Sequence, residues 1–334
     1  MALQQFTNLN FEDIRQSIKD YLRANTQFKD MDFEGSNLSI LIDILAYNSY
    51  TTAYNTNMAI NETFIDSATL RENVVSLARN IGYVPRSRRA ARATVNFSAS
   101  GITTDTKQIT FQPGVIANGA VSNINYVFSL PEAVSFNAFN GRSQGRLVIY
   151  QGQYITNSYI VDNNNPSERY VLPNDGIDTS TITVKIRNSA SDNTTTNYDL
   201  VDNIIGITST SNIYLLQETS DEKYELLFGD DIFGKKLDSG NIIDISYIKT
   251  NGKEGNGIDN FTFAGLINDE DGAEETDFKV FFSTNEKSSN GDEIEPVESV
   301  KYYAPRLYAA QHRAVTANDY EAIIPSIYPN IESV

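Results

Sequence analysis

The chain has no cysteine, no tryptophan and one histidine, His312. Thiolate chemistry and the usual zinc sites are therefore excluded, and an absence of cysteine fits a reducing compartment. Positive charge is also scarce, with 26 Lys and Arg against 43 Asp and Glu, for a net charge of -17. That balance argues against broad nucleic-acid binding, since a phosphate-binding surface needs clustered cations. Long apolar runs are missing too. Met1 to Asn10 lacks the charged and apolar regions of an export signal, and no segment reaches the length of a membrane span. The expectation is a protein made in a cytoplasm, without membrane or nucleic acid as partner. At 334 residues it is long enough to bury a real core in two or three domains of roughly 150 residues.

Catalytic constellations are absent as well. His312 sits in Ala309-Ala310-Gln311-His312-Arg313, and no G-x-S-x-G nucleophile motif occurs anywhere. Asp230 and Asp231 are the most site-like acids, and calcium or glycosidase roles come to mind. EF-hand spacing is missing, so the pair reads as a turn whose carboxylates cap backbone amides before the strand at Ile242. Gly252, Gly255 and Gly257 match neither nucleotide-binding spacing and read as a loop after a strand. The expectation is no enzyme, no cofactor and no metal.

What is present is organised as α+β. Residues 1–92 read as an N-terminal helical assembly domain, 93–290 as an antiparallel β-rich region of one or two subdomains, and 291–334 as a short C-terminal helical segment. Asn10 is the cap of a first helix with Phe11, Ile14, Ile18, Tyr21 and Leu22 at helical spacing. Thr26 to Gly35 breaks the pattern. A second helix runs from Ser36 towards Ile65, and a third is capped by Ser67 and stopped at Gly82.

The second helix is unusual. Leu38, Leu41, Ile42, Leu45, Tyr47, Tyr50, Tyr54 and Met58 spread around most of its circumference, and no charge occurs between Ile44 and Asn61. A helix apolar on most faces must be buried on most faces. Either the β region covers it, or helices of other chains do. Asn48, Asn55, Asn57 and Asn61 suit the second reading, as polar groups that set register in a bundle. Asp43 and Glu62 flank the uncharged stretch, within reach of solvent or a partner cation.

Strands are expected at Thr94–Ser98, Arg146–Tyr150, Thr181–Arg187, Tyr214–Gln217, Tyr224–Phe228 and Ile242–Ile248. Asn268–Glu295 is acid-rich and reads as a linker. Five arginines and no acid fall between Asn73 and Thr104. Of these, Arg86, Arg88, Arg89 and Arg92 suit ion pairs to a neighbouring acidic subunit. A solvated tail and a solvated loop account for the same charges without partners. Helical pattern resumes through Val300, Tyr303 and Leu307, and again from Thr316, so the expectation is a further domain beyond Val334.

The stretch Asp32-Phe33-Glu34-Gly35-Ser36-Asn37-Leu38, with Asp43-Ile44-Leu45-Ala46-Tyr47-Asn48, resembles the N-terminal signature of the T-even-type phage baseplate wedge proteins of the baseplate J-like family. Leu70 to Val75 and Asn80 to Ser87 continue the likeness. Tyr224 to Gly229, Ala304-Pro305-Arg306 and Arg313 to Glu321 extend it more weakly. The resemblance implies a structural subunit of a contractile-tail baseplate, assembled in the host cytoplasm and carried in the virion. It implies an asymmetric pair with a second copy, contact with another elongated wedge subunit, and a place near a lysozyme-like sheath-initiating subunit. The expected interface is Leu38, Leu41, Ile42, Leu45, Tyr47, Asn48, Tyr50, Tyr54, Asn55 and Met58, with Arg86, Arg88 and Arg89. Rival readings are a tail-associated protein that binds or degrades host glycan, which the absence of tryptophan disfavours, and a receptor-binding adhesin.

Overall fold

A computed structural model of the chain describes residues 7, 10–24, 37–121, 123–165, 167–201, 206–219, 222–311 and 313–327, with backbone alone over 325–327. Contacts divide it into a helical unit, Met1–Tyr83 with Val297–Asp319, and a β unit, Val84–Pro296 with Tyr320–Val334.

In the helical unit, α1 spans Phe11–Arg23, α2 Asn37–Asn61, α3 Arg71–Asn80 and α4 Val297–Ala310. Asn10 caps α1 as expected, its side-chain oxygen accepting from the Glu12 and Asp13 amides. Helix α2 ends at Asn61, short of the expected Ile65, and Ser36 lies outside the described residues, as do Thr26–Gly35. Ser67 does not cap α3. Its hydroxyl donates to the Asn61 carbonyl at 2.7 Å, and Leu70 at the cap position offers no side-chain acceptor. The carboxylate of Glu62 serves instead, taking the Thr69 amide at 2.8 Å and the Leu70 amide at 3.3 Å. An acid after one helix thus starts the next, which local spacing does not announce.

Gly82, at φ 80°, ends α3 where the sequence suggests, and the Tyr83 amide closes back on the Ala78 carbonyl at 3.0 Å. Helix α4 packs against α3 from the far end of the chain. Their shared core is small: Ala68, Val74, Ala78, Tyr83, Val300 and Ala304. A last helix, α5, covers Ala317–Ile327, with Thr316 and Asp319 exchanging backbone and side-chain hydrogen bonds at its start.

Among the described residues the β unit holds sixteen strands in three sheets. The first sheet contains β1 Arg92–Ser100, β3 Gly114–Val121, β4 Ile124–Leu130, β6 Arg142–Gln151, β14 Phe261–Phe263 and β16 Lys279–Ser289. Their order is β14-β3-β4-β6-β1-β16. Its two edges meet: the Ser288 amide donates to the Ile258 carbonyl at 2.8 Å, and Phe263 lies 5.7 Å from Phe282. The sheet therefore curls into a barrel around Val95, Phe97, Ile116, Phe128, Leu147 and Ile149. A small sheet of β2 Gln108–Phe111, β5 Val134–Asn137 and β15 Ile267–Asn268 adds Phe111 and Phe136 to that core.

The second large sheet contains β7 Gln153–Ile160, β8 Tyr170–Val171, β9 Ile177–Arg187, β10 Thr195–Leu200, β11 Ile213–Glu218, β12 Tyr224–Phe228 and β13 Ile242–Lys249. Its order is β7-β13-β9-β10-β11-β12-β8, antiparallel except between β10 and β11. It surrounds a separate core that includes Leu172, Val184, Tyr224, Ile243, Ile245 and Tyr247. Its edges approach through Tyr159, whose hydroxyl donates to the Val171 carbonyl at 2.8 Å.

All six expected strands lie within observed ones. The expected linker Asn268–Glu295 is corrected: its middle is β16, an eleven-residue strand paired along β1. Val280, Phe282 and Thr284 alternate inward, with Phe281 and Ser283 outward between them. Flanking acids hid that period of two.

Candidate assembly surface

Helix α2 lies antiparallel to α1, since Thr7 meets Asn57 and Ala53 while Arg15 meets Asp43. The Thr7 amide donates to Asn57 Oδ1 at 3.1 Å and its hydroxyl to the Ala53 carbonyl at 3.2 Å. Arg15 Nε stands 2.6 Å from Asp43 Oδ1. The cation that answers Asp43 is therefore in its own chain. The face of α2 turned inward is a narrow stripe of Ser39, Ile42, Ala46, Asn57 and Asn61, at the spacing of one helical face.

The rest of α2 is open. Ile40, Leu41, Ile44, Leu45, Tyr47 and Tyr54 are all about half exposed or more, with Leu41 at 55%, Ile44 at 58% and Tyr47 at 66%. Asn48 and Asn55 are exposed among them, whereas Asn57 and Asn61 are buried. Leu38, Tyr50 and Met58 lie at the margin, and Ile42 is buried at 1% exposure. Helix α1 adds little cover, as none of its residues is fully buried and Tyr21 is 74% exposed. Neither helix contributes to the core between α3 and α4. The pair thus presents a contiguous apolar surface of a kind that marks association.

The arginine run has a different environment. Arg88 Nε lies 3.1 Å from Glu293 and its Nη2 3.9 Å from Glu222. Arg86 approaches Glu295 at 4.0 Å, and its amide donates to the same carboxylate at 2.9 Å. Arg89 pairs its backbone with Asp292. Burial pushes the Arg89 guanidinium down from its ordinary pKa; Asp178 and Asp292 oppose that shift, while Arg86 and Arg92 add to it. The acids of the last expected linker residues are thus the partners of these arginines. The guanidinium groups of Arg86 and Arg88 face carboxylates of their own chain.

Other sequence-level sites resolve into structure. Asp230 accepts from the Ile232 and Phe233 amides at 3.0 and 2.9 Å, and Asp231 from the Lys236 amide at 3.0 Å. The Phe233 and Ile232 amides hold the Asp230 carboxyl below its usual range. This is the turn-capping role expected of them. Gly252–Gly255 forms a 3₁₀ turn after β13. His312 lies outside the described residues. A shallow cleft of about 230 Å³ beside β8 and β12 contains Arg169 and Glu225. There the carboxylate is fully engaged, by both forks of Arg169 at 2.7 and 2.6 Å and by Gln217 at 2.7 Å. No helix among the described residues is long and apolar enough to cross a membrane.

Residues 10–83 match the helical domain of gp6-like baseplate wedge proteins, the segment that contains α1, α2 and α3. The chain is also similar to baseplate wedge protein gp6 of Enterobacteria phage T4, with 26% identity over 353 aligned positions covering 98% of this chain. The alignment takes in 51% of that relative, so the chain spans about half its length. Residues 10–83 thus carry the helical domain of the gp6-like baseplate wedge proteins, and nearly all of the chain is similar to one such protein.

Proposed function

We propose that this chain is a structural subunit of a baseplate wedge in a contractile phage tail, and that the outer face of α2 is buried in a helix bundle shared between subunits. The observation that carries the reading is the exposed row Ile40, Leu41, Ile44, Leu45 and Tyr47. Burying a large apolar side chain stabilises by about 1.5–3 kcal/mol. These five are already close to half covered, so completing their burial supplies roughly 4–9 kcal/mol, within the range of the cost of association. Exposed Asn48 and Asn55 then restrict register and partner at some expense in stability. The occupants are a second copy of the chain and another elongated wedge subunit, close to a lysozyme-like sheath-initiating subunit. A glycan-degrading or receptor-binding role draws no support from the family likeness.

Co-expression with a candidate wedge subunit tests the reading. Leu41→Asp with Leu45→Asp abolishes copurification while the β unit keeps its melting transition. Recovery of the complex at normal yield from this variant overturns the bundle.

A further inference from the structure

The outer face of β16, β1 and β6 gathers cations that the linear sequence scatters. Along β1, Val95, Phe97 and Ala99 face the core, so Arg92, Asn96 and Ser98 point outward. The ladder registers place Ser100 between Lys279 and Arg142, Ser98 between Phe281 and Gln144, and Asn96 between Ser283 and Arg146. Arg92, Arg142, Arg146 and Lys279 are all exposed, and among the described residues none has an ion-pair partner. The carboxylate opposite Thr94, Glu286, accepts from the Thr94 hydroxyl at 3.0 Å. On the outer strand β16, in the row between those of Arg142 and Arg146, stands Phe281, 67% exposed. A chain of net charge -17 has thus collected unpaired cations around an apolar side chain on one sheet face.

We propose that this face docks an acidic segment of another protein. It is a surface separate from α2 and does not depend on the helix bundle. Arg142 and Arg146, four residues apart on one strand, stand about 13 Å apart, and Lys279 lies about 10 Å from Arg142 across two strands. Such spacing matches carboxylates on alternate turns or every fourth residue of an extended segment. A nucleic-acid strand is disfavoured by charge, since the remaining acidic surface of a chain of net charge -17 repels a polyanion. Asn96, Ser98 and Gln144 lie between the cations and offer neutral hydrogen-bonding groups. Phe281 supplies an apolar anchor of the kind that dominates interface energetics.

Fluorescence anisotropy of the purified full chain decides the matter, with three probes at low and at physiological salt. They are a labelled peptide with glutamate at every fourth residue in a Ser/Thr background, its glutamine counterpart, and a single-stranded oligonucleotide of similar length. The glutamate peptide binds in a salt-sensitive manner. Affinity falls at least tenfold in Arg142→Glu/Arg146→Glu and in the milder Arg142→Gln/Arg146→Gln, and persists in the Lys/Lys variant. Equal binding of the glutamine peptide, tighter binding of the oligonucleotide, or unchanged affinity in the Gln/Gln variant overturns the proposal. Salt-sensitive self-association that the Gln/Gln variant abolishes, without peptide binding, makes a second copy the occupant and overturns it too.

Discussion

The side chain of Asn73, in the first turn of α3, donates to the carboxylate of Glu62 at 2.7 Å. The same carboxylate takes the Thr69 hydroxyl at 2.5 Å and two backbone amides. Burial alone pushes the Glu62 carboxyl up, but the hydrogen bonds from Thr69, Asn73 and Leu70 outweigh it and hold the pKa at about 2. One acid thereby joins the end of α2 to the beginning of α3.

That junction has a pH signature. A carboxyl depressed in the folded state from 4.5 to about 2 stabilises fully above its unfolded value, and the contribution drains away as pH falls between the two. Glu62→Ala removes an acceptor equivalent to a helix cap and costs about 1 kcal/mol. Thermal melts followed by circular dichroism between pH 2 and 6 check it. The difference between wild type and Glu62→Ala shrinks towards the acid end, and a difference independent of pH refutes the assignment.

The two faces of α2 respond in opposite ways to truncation. Ile42 is buried at 1% exposure, so Ile42→Ala weakens the helix pair by about 2–5 kcal/mol. Leu45 is 54% exposed, so Leu45→Ala leaves the isolated chain within about 0.5 kcal/mol of wild type. Chemical denaturation of the chain alone reads the first effect, and affinity for a bundle partner reads the second. Equal loss of chain stability at both positions contradicts the outward orientation of Leu45.

Gly145 sits in the middle of β6, where a glycine otherwise weakens a strand. A Cβ there would stand 2.6 Å from the Phe136 ring and 2.9 Å from Phe97. These two rings lie edge to face at 4.6 Å. Gly145→Ala overpacks the barrel and costs about 1–3 kcal/mol. Phe136→Leu in the same chain recovers part of that loss. A double-mutant cycle in urea measures the coupling, and additivity of the two changes rules out the steric account.

Likeness to a wedge protein and the apolar excess of α2 were both legible from residues 32–85. The division of its polar residues was not. Asn48, Asn55, Asn57 and Asn61 look alike in sequence, yet the first two are exposed and the last two are buried against their own chain. Asn61 donates to the Asn57 carbonyl at 2.8 Å, a local bond that leaves no mark on composition. The expected partner for Arg86, Arg88 and Arg89 was a neighbouring subunit. Asp292, Glu293 and Glu295 meet them from more than two hundred residues away.

From the sequence alone came the helices α1 and α3, the six core strands, the Gly82 stop and the over-apolar α2. Each rests on caps and periodicities that repeat within a few residues, so a short window contains the whole signal. Tertiary structure alone decided that α4 closes on α3, that β16 is a strand beside β1, and that Arg142, Arg146 and Lys279 share one face. Those outcomes depend on which surfaces meet after the chain has turned back on itself. Hydrophobic burial and ladder register choose that meeting through contacts between residues far apart in the chain, and no local pattern encodes the choice.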